Sequence, residues 1–566
     1  MAAATAPPAH DIDPAIFARR WWTLAALCTS LIIVIVGNTA LNVALPTLAE
    51  DLGASQSQLQ WMVDSYSLVF AGFLLTAGAL GDRFGRKGAL QLGLLIFLTG
   101  SVAAAFSDSA DAVIATRALM GFGAALVMPA TLSILTNIFP PHERAKAIAI
   151  WAGISGGGAA LGPVASGFVL EHFWWGAVFL VNVPVILGAL IAGRFLLPKS
   201  KDPGHPTLDP VGALLSIVGL GALVYAIIEA PNHGWMSTES ALWFGSAIVI
   251  LAIFGLWERR QTQPMLDLTL FEDRRFAVSS GGITLVFFAM FGMMFLLTQF
   301  LQLVLGYTPL EAGLRQLPIS FVMIGLAPQT PRLVGRFGAN RVAGAGLLSI
   351  AGGLVLFSTL GVGTTYWQLL APMIVLAAGM ALTMSPMTTQ IMSAVPREKA
   401  GVGSAMNDTT RELGGALGVA VLGSLVTSQY GSHIVDAVSG LPDAARTAAE
   451  SSLAGAVAVS QELPQGGAEL LRSAQQAFVD GMGLASLVGA AVAFLGAVAV
   501  IRWLPADPMS AGAHDESLPG HVRPPEDDDA EELPPAAIVT TPEAVSPVVE
   551  VSEIADDEGS KVPGAV

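Results

Sequence analysis

Fourteen stretches of about 20 predominantly apolar residues set the terms for this chain, since a run of that length matches the roughly 30 Å hydrocarbon layer of a bilayer. They centre near Ile33, Phe70, Leu95, Ala124, Ser155, Pro184, Gly219, Val249, Met290, Met323, Ser349, Ala377, Leu417 and Ala490. Lipid offers the backbone no hydrogen-bond partner, so each stretch is expected to be a helix. No soluble core could hide the apolar surface of 566 residues that are 53% hydrophobic and 12% charged, with a mean hydropathy of +0.64. The fold class that follows is an all-α polytopic membrane protein. Its first apolar run is too long for a signal-peptide core and reads as the first span. Cys28 stands alone, which excludes a disulfide framework within the chain and any cysteine-based metal cluster.

Orientation comes from the basic residues. Arg19 and Arg20, Arg83 to Lys87, Arg144 and Lys146, Lys199 and Lys201, Arg259 to Arg275, Arg332 to Arg341, Arg397 and Lys399, and Arg502 fall on alternate connections. Both termini are therefore expected on the cytoplasmic side of a plasma (inner) membrane. The net charge of -16 is concentrated in residues 505–566, where 15 acidic side chains face only two basic ones, so the remaining body is at -3. That tail, with Glu526 to Asp529 and many prolines, cannot build a core and is expected to be disordered.

Charges inside apolar runs are the candidate functional residues, because a charge in hydrocarbon costs several kcal/mol unless paired or wetted. Asp64 lies some six residues inside the second span, and Arg117 about as deep in the fourth. Asn38, in the first span, would share their layer as a polar cavity residue. An Asp64 to Arg117 pair, direct or through water, would keep the carboxylate ionised until a cation or a proton competes for it. The alternative is a static ion pair locking two helices. In the thirteenth span, Asp408 and Glu412 are four residues apart and share a face beside Arg411. Entry near Ala400 would place them roughly 12 to 18 Å deep. Either acid could neutralise Arg411, and Glu412 is favoured as the one that titrates.

Several motifs carry a resemblance. Gly78-Ala-Leu-Gly-Asp82-Arg83-Phe-Gly85-Arg86-Lys87 resembles the loop signature after the second helix of the major facilitator superfamily. Gly37-Asn38-Thr39-Ala-Leu-Asn42-Val-Ala-Leu-Pro46 is similar to the first-helix signature of fourteen-helix drug:proton antiporters of the QacA/EmrB type, with Asn38 where an aspartate is usual. Trp61-Met-Val-Asp64-Ser-Tyr66 looks like the second helix of the QacA branch. Ile114-Ala-Thr-Arg117-Ala-Leu-Met120-Gly121 is similar to the fourth-helix signature, with Met120 replacing a glutamine. Gly153, Gly157, Gly162-Pro163 and Gly167 resemble the fifth-helix antiporter motif, whose glycines allow close approach and whose proline bends the helix into a hinge. Gly335-Arg336-Phe337-Gly338 looks like a degenerate copy of the loop after the second helix, the echo a duplicated transporter half leaves behind.

The resemblance implies a major facilitator fold of two six-helix bundles, 21–197 and 276–504, around two inserted helices in 198–275. Residues 1–20 would be a cytoplasmic lead, 428–476 an outer hairpin and 505–566 the tail. It implies Asp64, Arg117, Asp408, Arg411 and Glu412 as proton-coupling or cation-binding groups, and Gly78, Asp82, Arg83, Gly85, Arg86 and Lys87 as the inner gate. The chain shows no GxxxxGK[ST], HExxH, CxxC or strand-borne GxSxG, so no enzyme activity, metal or nucleotide cofactor is expected and a proton gradient is the expected energy source. A proton-coupled multidrug exporter of lipophilic, cationic compounds is the leading reading, active as a monomer in membrane lipid and indifferent to nucleic acid. An exporter of an endogenous lipid or secondary metabolite, a nutrient symporter, and a receptor or scaffold acting through the acidic tail are the alternatives.

Overall fold

A computed structural model describes residues 14–198, 209–261, 264, 268–395, 400–463 and 465–505. The tail beyond 505 and the side chains of Asp82, Gly153 and Gly157 lie outside the described residues. The described chain is nearly all helix: α1 Pro14–Leu52, α2 Gln56–Phe84, α3 Arg86–Ala105, α4 Ala110–Ile138, α5 Pro141–His172, α6 Ala177–Leu180, α7 Asn182–Leu196, α8 Pro210–His233 and α9 Thr238–Glu258. Then follow α10 Arg274–Gln299, α11 Pro309–Leu326, α12 Thr330–Phe337, α13 Ala339–Phe357, α14 Tyr366–Ala394, α15 Ala400–Val438, α16 Asp443–Ser451, α17 Leu453–Glu462 and α18 Gly467–Trp503. Twelve stretches are apolar and long enough to cross a membrane among the described residues. With α2 and α5, of 29 and 32 residues, every one of the fourteen expected centres falls on a helix, which is compatible with a fourteen-helix fold.

Local chemistry sets the helix ends. Ser55 and Gln58 form a reciprocal capping box at the start of α2, and Thr308 and Glu311 do so for α11. Gly85 (φ 122) and Gly338 (φ 86) turn the chain between α2 and α3 and between α12 and α13, in a backbone region that side-chain-bearing residues avoid. Each follows an Arg-Phe pair in which the guanidinium lies over the neighbouring ring, at 5.4 Å for Arg83 and 5.3 Å for Arg336. The two loops thus repeat one geometry, which supports the sequence echo.

α2 and α3 pack on α4, and α1 on α5 and α7; later, α10 packs on α15, α13 on α14 and α18, and α15 on α18. Arg20 of α1 makes a two-pronged bond to Glu143 of α5, Nε to Oε2 at 2.7 Å and Nη2 to Oε1 at 3.0 Å. α8 lies against α2 and α15 and carries α9, whose Leu242, Ile248, Val249 and Leu256 remain exposed on an apolar face. A face of that kind is at home in lipid. Three expected boundaries move. α1 begins at Pro14 and not at 21, because nothing in Pro14 to Arg20 breaks the helical run. The expected 428–476 hairpin narrows to α16 and α17, since α15 runs on to Val438 and α18 starts at Gly467. α10 starts at Arg274, where Asp273 caps it.

Candidate functional site: a buried carboxylate in the seam between α2 and α15

At 3.6 residues per turn, residues on α2 divide into two opposed stripes. Met62, Ser65 and Tyr66 face α4: the Ser65 hydroxyl donates to Ile114 O at 3.1 Å, and the Arg117 guanidinium carbon sits 4.3 Å from the centre of the Tyr66 ring. Gln60, Asp64, Ser67 and Leu68 form the other stripe. Gln60 lies against Gly423 and donates to Thr427 at 3.4 Å, while Leu68 packs with Ala416 and Ala420 of α15 and Val224 and Ile228 of α8.

Arg117 is fully buried. Its Nε donates to Met62 O at 3.1 Å and its Nη1 to Gly37 O at 2.9 Å, so one side chain ties α1, α2 and α4 together through backbone carbonyls. Tyr66 completes the knot by donating to Val34 O at 3.3 Å. Gly121, one turn on from Arg117, lets α2 come close: a Cβ there would strike the Tyr66 carbonyl.

The direct Asp64 to Arg117 pair is not formed. Sequence depth placed both residues in one layer, and they do share it, but Asp64 is about 200° around the helix from Met62 and faces away from the arginine. Its carboxyl group is 0% exposed and neither oxygen has a hydrogen-bond partner. The stripe that Asp64 shares with Gln60 and Leu68 is the one turned toward α8 and α15.

The α15 cluster also separates. Asp408 Oδ1 faces Arg411 Nη1 at 3.6 Å, so Asp408 is the acid that neutralises the arginine. Turned so that its oxygen faces the guanidinium, the Asn407 amide would accept from Nη2 at 3.2 Å and Nε at 3.3 Å. Glu412 points instead across the seam to the Ser67 hydroxyl, within electrostatic reach of Arg117 and Arg411, and its Oε2 is buried without a hydrogen bond of ordinary length. The i, i+4 spacing gave the two acids one face, and the neighbours on that face split them.

Hydrogen bonds between α1–α7 and α10–α18 gather at the end of the bundle where Ser55 begins α2. Gln302 donates to Val43 O at 2.8 Å, Ser424 to Gln60 at 3.4 Å, and Thr308 to Glu171. Glycines seat α5 and α11 there. A Cβ on Gly167 would lie 2.6 Å from Leu310 Cα, one on Gly313 2.5 Å from Pro163 O, and one on Gly162 would strike Thr39. Pro163 and Gly167 of the expected hinge are thus in a tight backbone contact with α11, and Gly162 lies against Thr39 of α1. At the opposite end Arg83 is exposed, and Lys87 donates to Arg194 O and Leu197 O at 2.8 Å each. Of the expected gate residues, Lys87 therefore caps α7 within its own half. Gly78 packs on Pro129 of α4.

Two polar residues received no role from sequence. Gln60 spans the seam, and Asn42, one turn from Asn38, is 1% exposed with both amide atoms unpartnered. Asn38 Oδ1 is likewise buried and unpartnered. The i, i+4 repeat of asparagines in an apolar helix was the available signal.

The Major Facilitator Superfamily profile matches residues 27–419. The chain belongs to that superfamily of transporters. It is 38% identical to the multidrug efflux pump LfrA of Mycolicibacterium smegmatis over 485 residues, covering 85% of this chain and 96% of LfrA. The tetracenomycin C resistance and export protein of Streptomyces glaucescens is 34% identical, with 90% and 96% covered. The methyl viologen resistance protein SmvA of Salmonella typhimurium is 36% identical, with 81% and 93% covered. Among solved structures, a bacterial homologue of the human lysosomal transporter Spinster, inward-facing and unoccupied, superposes with a TM-score of 0.62 at 18% identity, over 86% of this chain and 99% of that one. A D-xylose-proton symporter gives 0.56 at 14% identity, over 86% and 97%. These likenesses carry the fold. The protein is a multi-pass membrane transporter of small molecules.

Proposed function

We propose that the chain is a proton-coupled exporter of lipophilic compounds, with Asp64 and Glu412 as its proton carriers. The observation that carries this reading is the Asp64 carboxyl group, wholly buried and unpartnered on the stripe of α2 that is turned toward the second half of the chain. An ionised carboxylate left there would cost several kcal/mol, whereas a protonated one is neutral. Closure at the Ser55 end is thereby tied to proton binding, and ionisation favours opening. The basic residues of the opposite end support a topology with the Ser55 end outside and both termini in the cytoplasm of the cell membrane. External protons then load Asp64 and Glu412, displace cargo outward and let the outer end close; loss of protons to the cytoplasm resets the cycle.

Two six-helix bundles, 14–197 and 274–504, rock about a midplane cavity in this scheme, and a single chain suffices. The relatives named for multidrug efflux, tetracenomycin C export and methyl viologen resistance support lipophilic drugs, cations included, as cargo. A secondary metabolite as natural cargo is favoured by Asn38 and Asn42, neutral buried amides with hydrogen bonds to offer. Everted vesicles test the proposal. Proton-driven ethidium transport should be lost in Asp64→Asn and in Glu412→Gln, and reduced in Asp408→Asn. Parental transport by a variant carrying all three would end it.

A further inference from the structure

Below the closed end, α11, α14 and α15 line an open recess of about 500 Å3. Met323, Met384 and Met392 form its adaptable apolar walls, Ser385 and Thr388 add hydroxyls, and among the described residues Arg411 is the charged group that lines it. Neither Asp64 nor Glu412 does so. Arg411 meets its own carboxylate at 3.6 Å, longer than a hydrogen bond, while the Asn407 oxygen would take only Nε and Nη2. Its Nη1 edge therefore keeps donors for something else. The Phe287 ring, 5.5 Å from the guanidinium carbon, helps hold the head in place.

We propose that this cavity is a binding site for amphipathic organic anions, in which a carboxylate, phenolate or sulfonate meets the Nη1 edge of Arg411 and the ligand's apolar body lies among the methionines. The proposal deepens the export reading by adding acidic lipophiles to its cargo. Physically, a guanidinium in an apolar recess is a poor neighbour for a cation and a strong one for an oxyanion. Asp408 sets the selectivity: it offsets enough of the charge to keep the empty cavity stable, but at 3.6 Å it yields to a ligand that can bond at ordinary length.

Fluorescein and rhodamine 123 share a xanthene ring system and differ in charge, so equilibrium binding of each to the purified full-length protein, read by fluorescence anisotropy, isolates the point. Fluorescein should bind the parent, at least tenfold more weakly Arg411→Gln, and nearly as well Arg411→Lys, which keeps the charge. Rhodamine 123 should bind Arg411→Gln as tightly as the parent or tighter. Met384→Trp, which fills the cavity without touching a charge, should also exclude fluorescein and guards against misfolding of the arginine variant. Parental fluorescein binding by Arg411→Gln, or by Met384→Trp, would overturn the proposal, as would equal loss of both dyes in Arg411→Gln. No gradient is applied, so failure of proton coupling would leave this result unaffected.

Discussion

Adding one methyl group to the α5–α11 seam should open the transporter at its Ser55 end. In Gly313→Ala the new Cβ would lie 2.5 Å from Pro163 O and 2.9 Å from Pro163 C, and in Gly167→Ala 2.6 Å from Leu310 Cα. All three contacts are with backbone, which cannot rotate aside, so the closed arrangement must separate or strain. Overpacking of this kind costs about 1–3 kcal/mol. At about 1.4 kcal/mol per tenfold, each substitution should lower the ratio of closed to open molecules by roughly fivefold to a hundredfold, and the pair together by more. Spin labels at Asp108→Cys and Gly363→Cys, exposed positions at this end of the first and second halves, report the change as a longer distance in pulsed dipolar spectroscopy. Cys28, buried, is replaced in the background. Gly325→Ala, on the same helix as Gly313 but with nothing within 4 Å of its Cβ, should leave the distances unchanged. If the seam variants fold and give the parental distribution, closure does not depend on these contacts and the reasoning fails.

Three further outcomes follow from the same geometry. Replacing Arg117 by Gln removes the guanidinium bonds to the carbonyls of Met62 and Gly37 that tie α4 to α2 and α1, at about 1.5–3 kcal/mol for each hydrogen bond from a charged donor; the thermal unfolding temperature in detergent should fall sharply, and Arg117→Lys should recover only part of it. Gly85→Ala and Gly338→Ala force a side chain into positive φ, each costing on the order of 1–2 kcal/mol, and should lower thermal stability similarly, since the two turns are alike. Removing residues 506–566 should leave vesicle transport at the parental rate; a loss of all activity would favour the receptor or scaffold reading.

The fold was largely legible because lipid leaves a long apolar run one option, and each of the fourteen centres duly falls on a helix. Boundaries were less so. Helices here outrun the hydrocarbon: α15 has 39 residues and α18 has 37, and composition gives no signal where a helix leaves the membrane but stays packed. The site was legible in its members and misread in its pairings. Depth along a helix follows from counting, which is how Asp64 and Arg117 came to share a layer. Azimuth depends on which neighbour each stripe meets, and the stripe of Gln60, Asp64 and Leu68 meets α15 and α8 across more than 150 residues of chain. In α15 the ambiguity over Arg411 was real: two acids flank it at three and one residues, and only the position of Ser67 on another helix draws Glu412 away.

Proton release on cargo binding tests the coupling claim most directly. Purified protein in weakly buffered detergent solution is mixed with ethidium, and the pH change is read against a calibrated acid pulse. The parent should release protons as the dye binds, Asp64→Asn and Glu412→Gln should each release fewer, and the double variant none while still binding dye. Undiminished release from the double variant would contradict the assignment of these two carboxyl groups as the proton carriers.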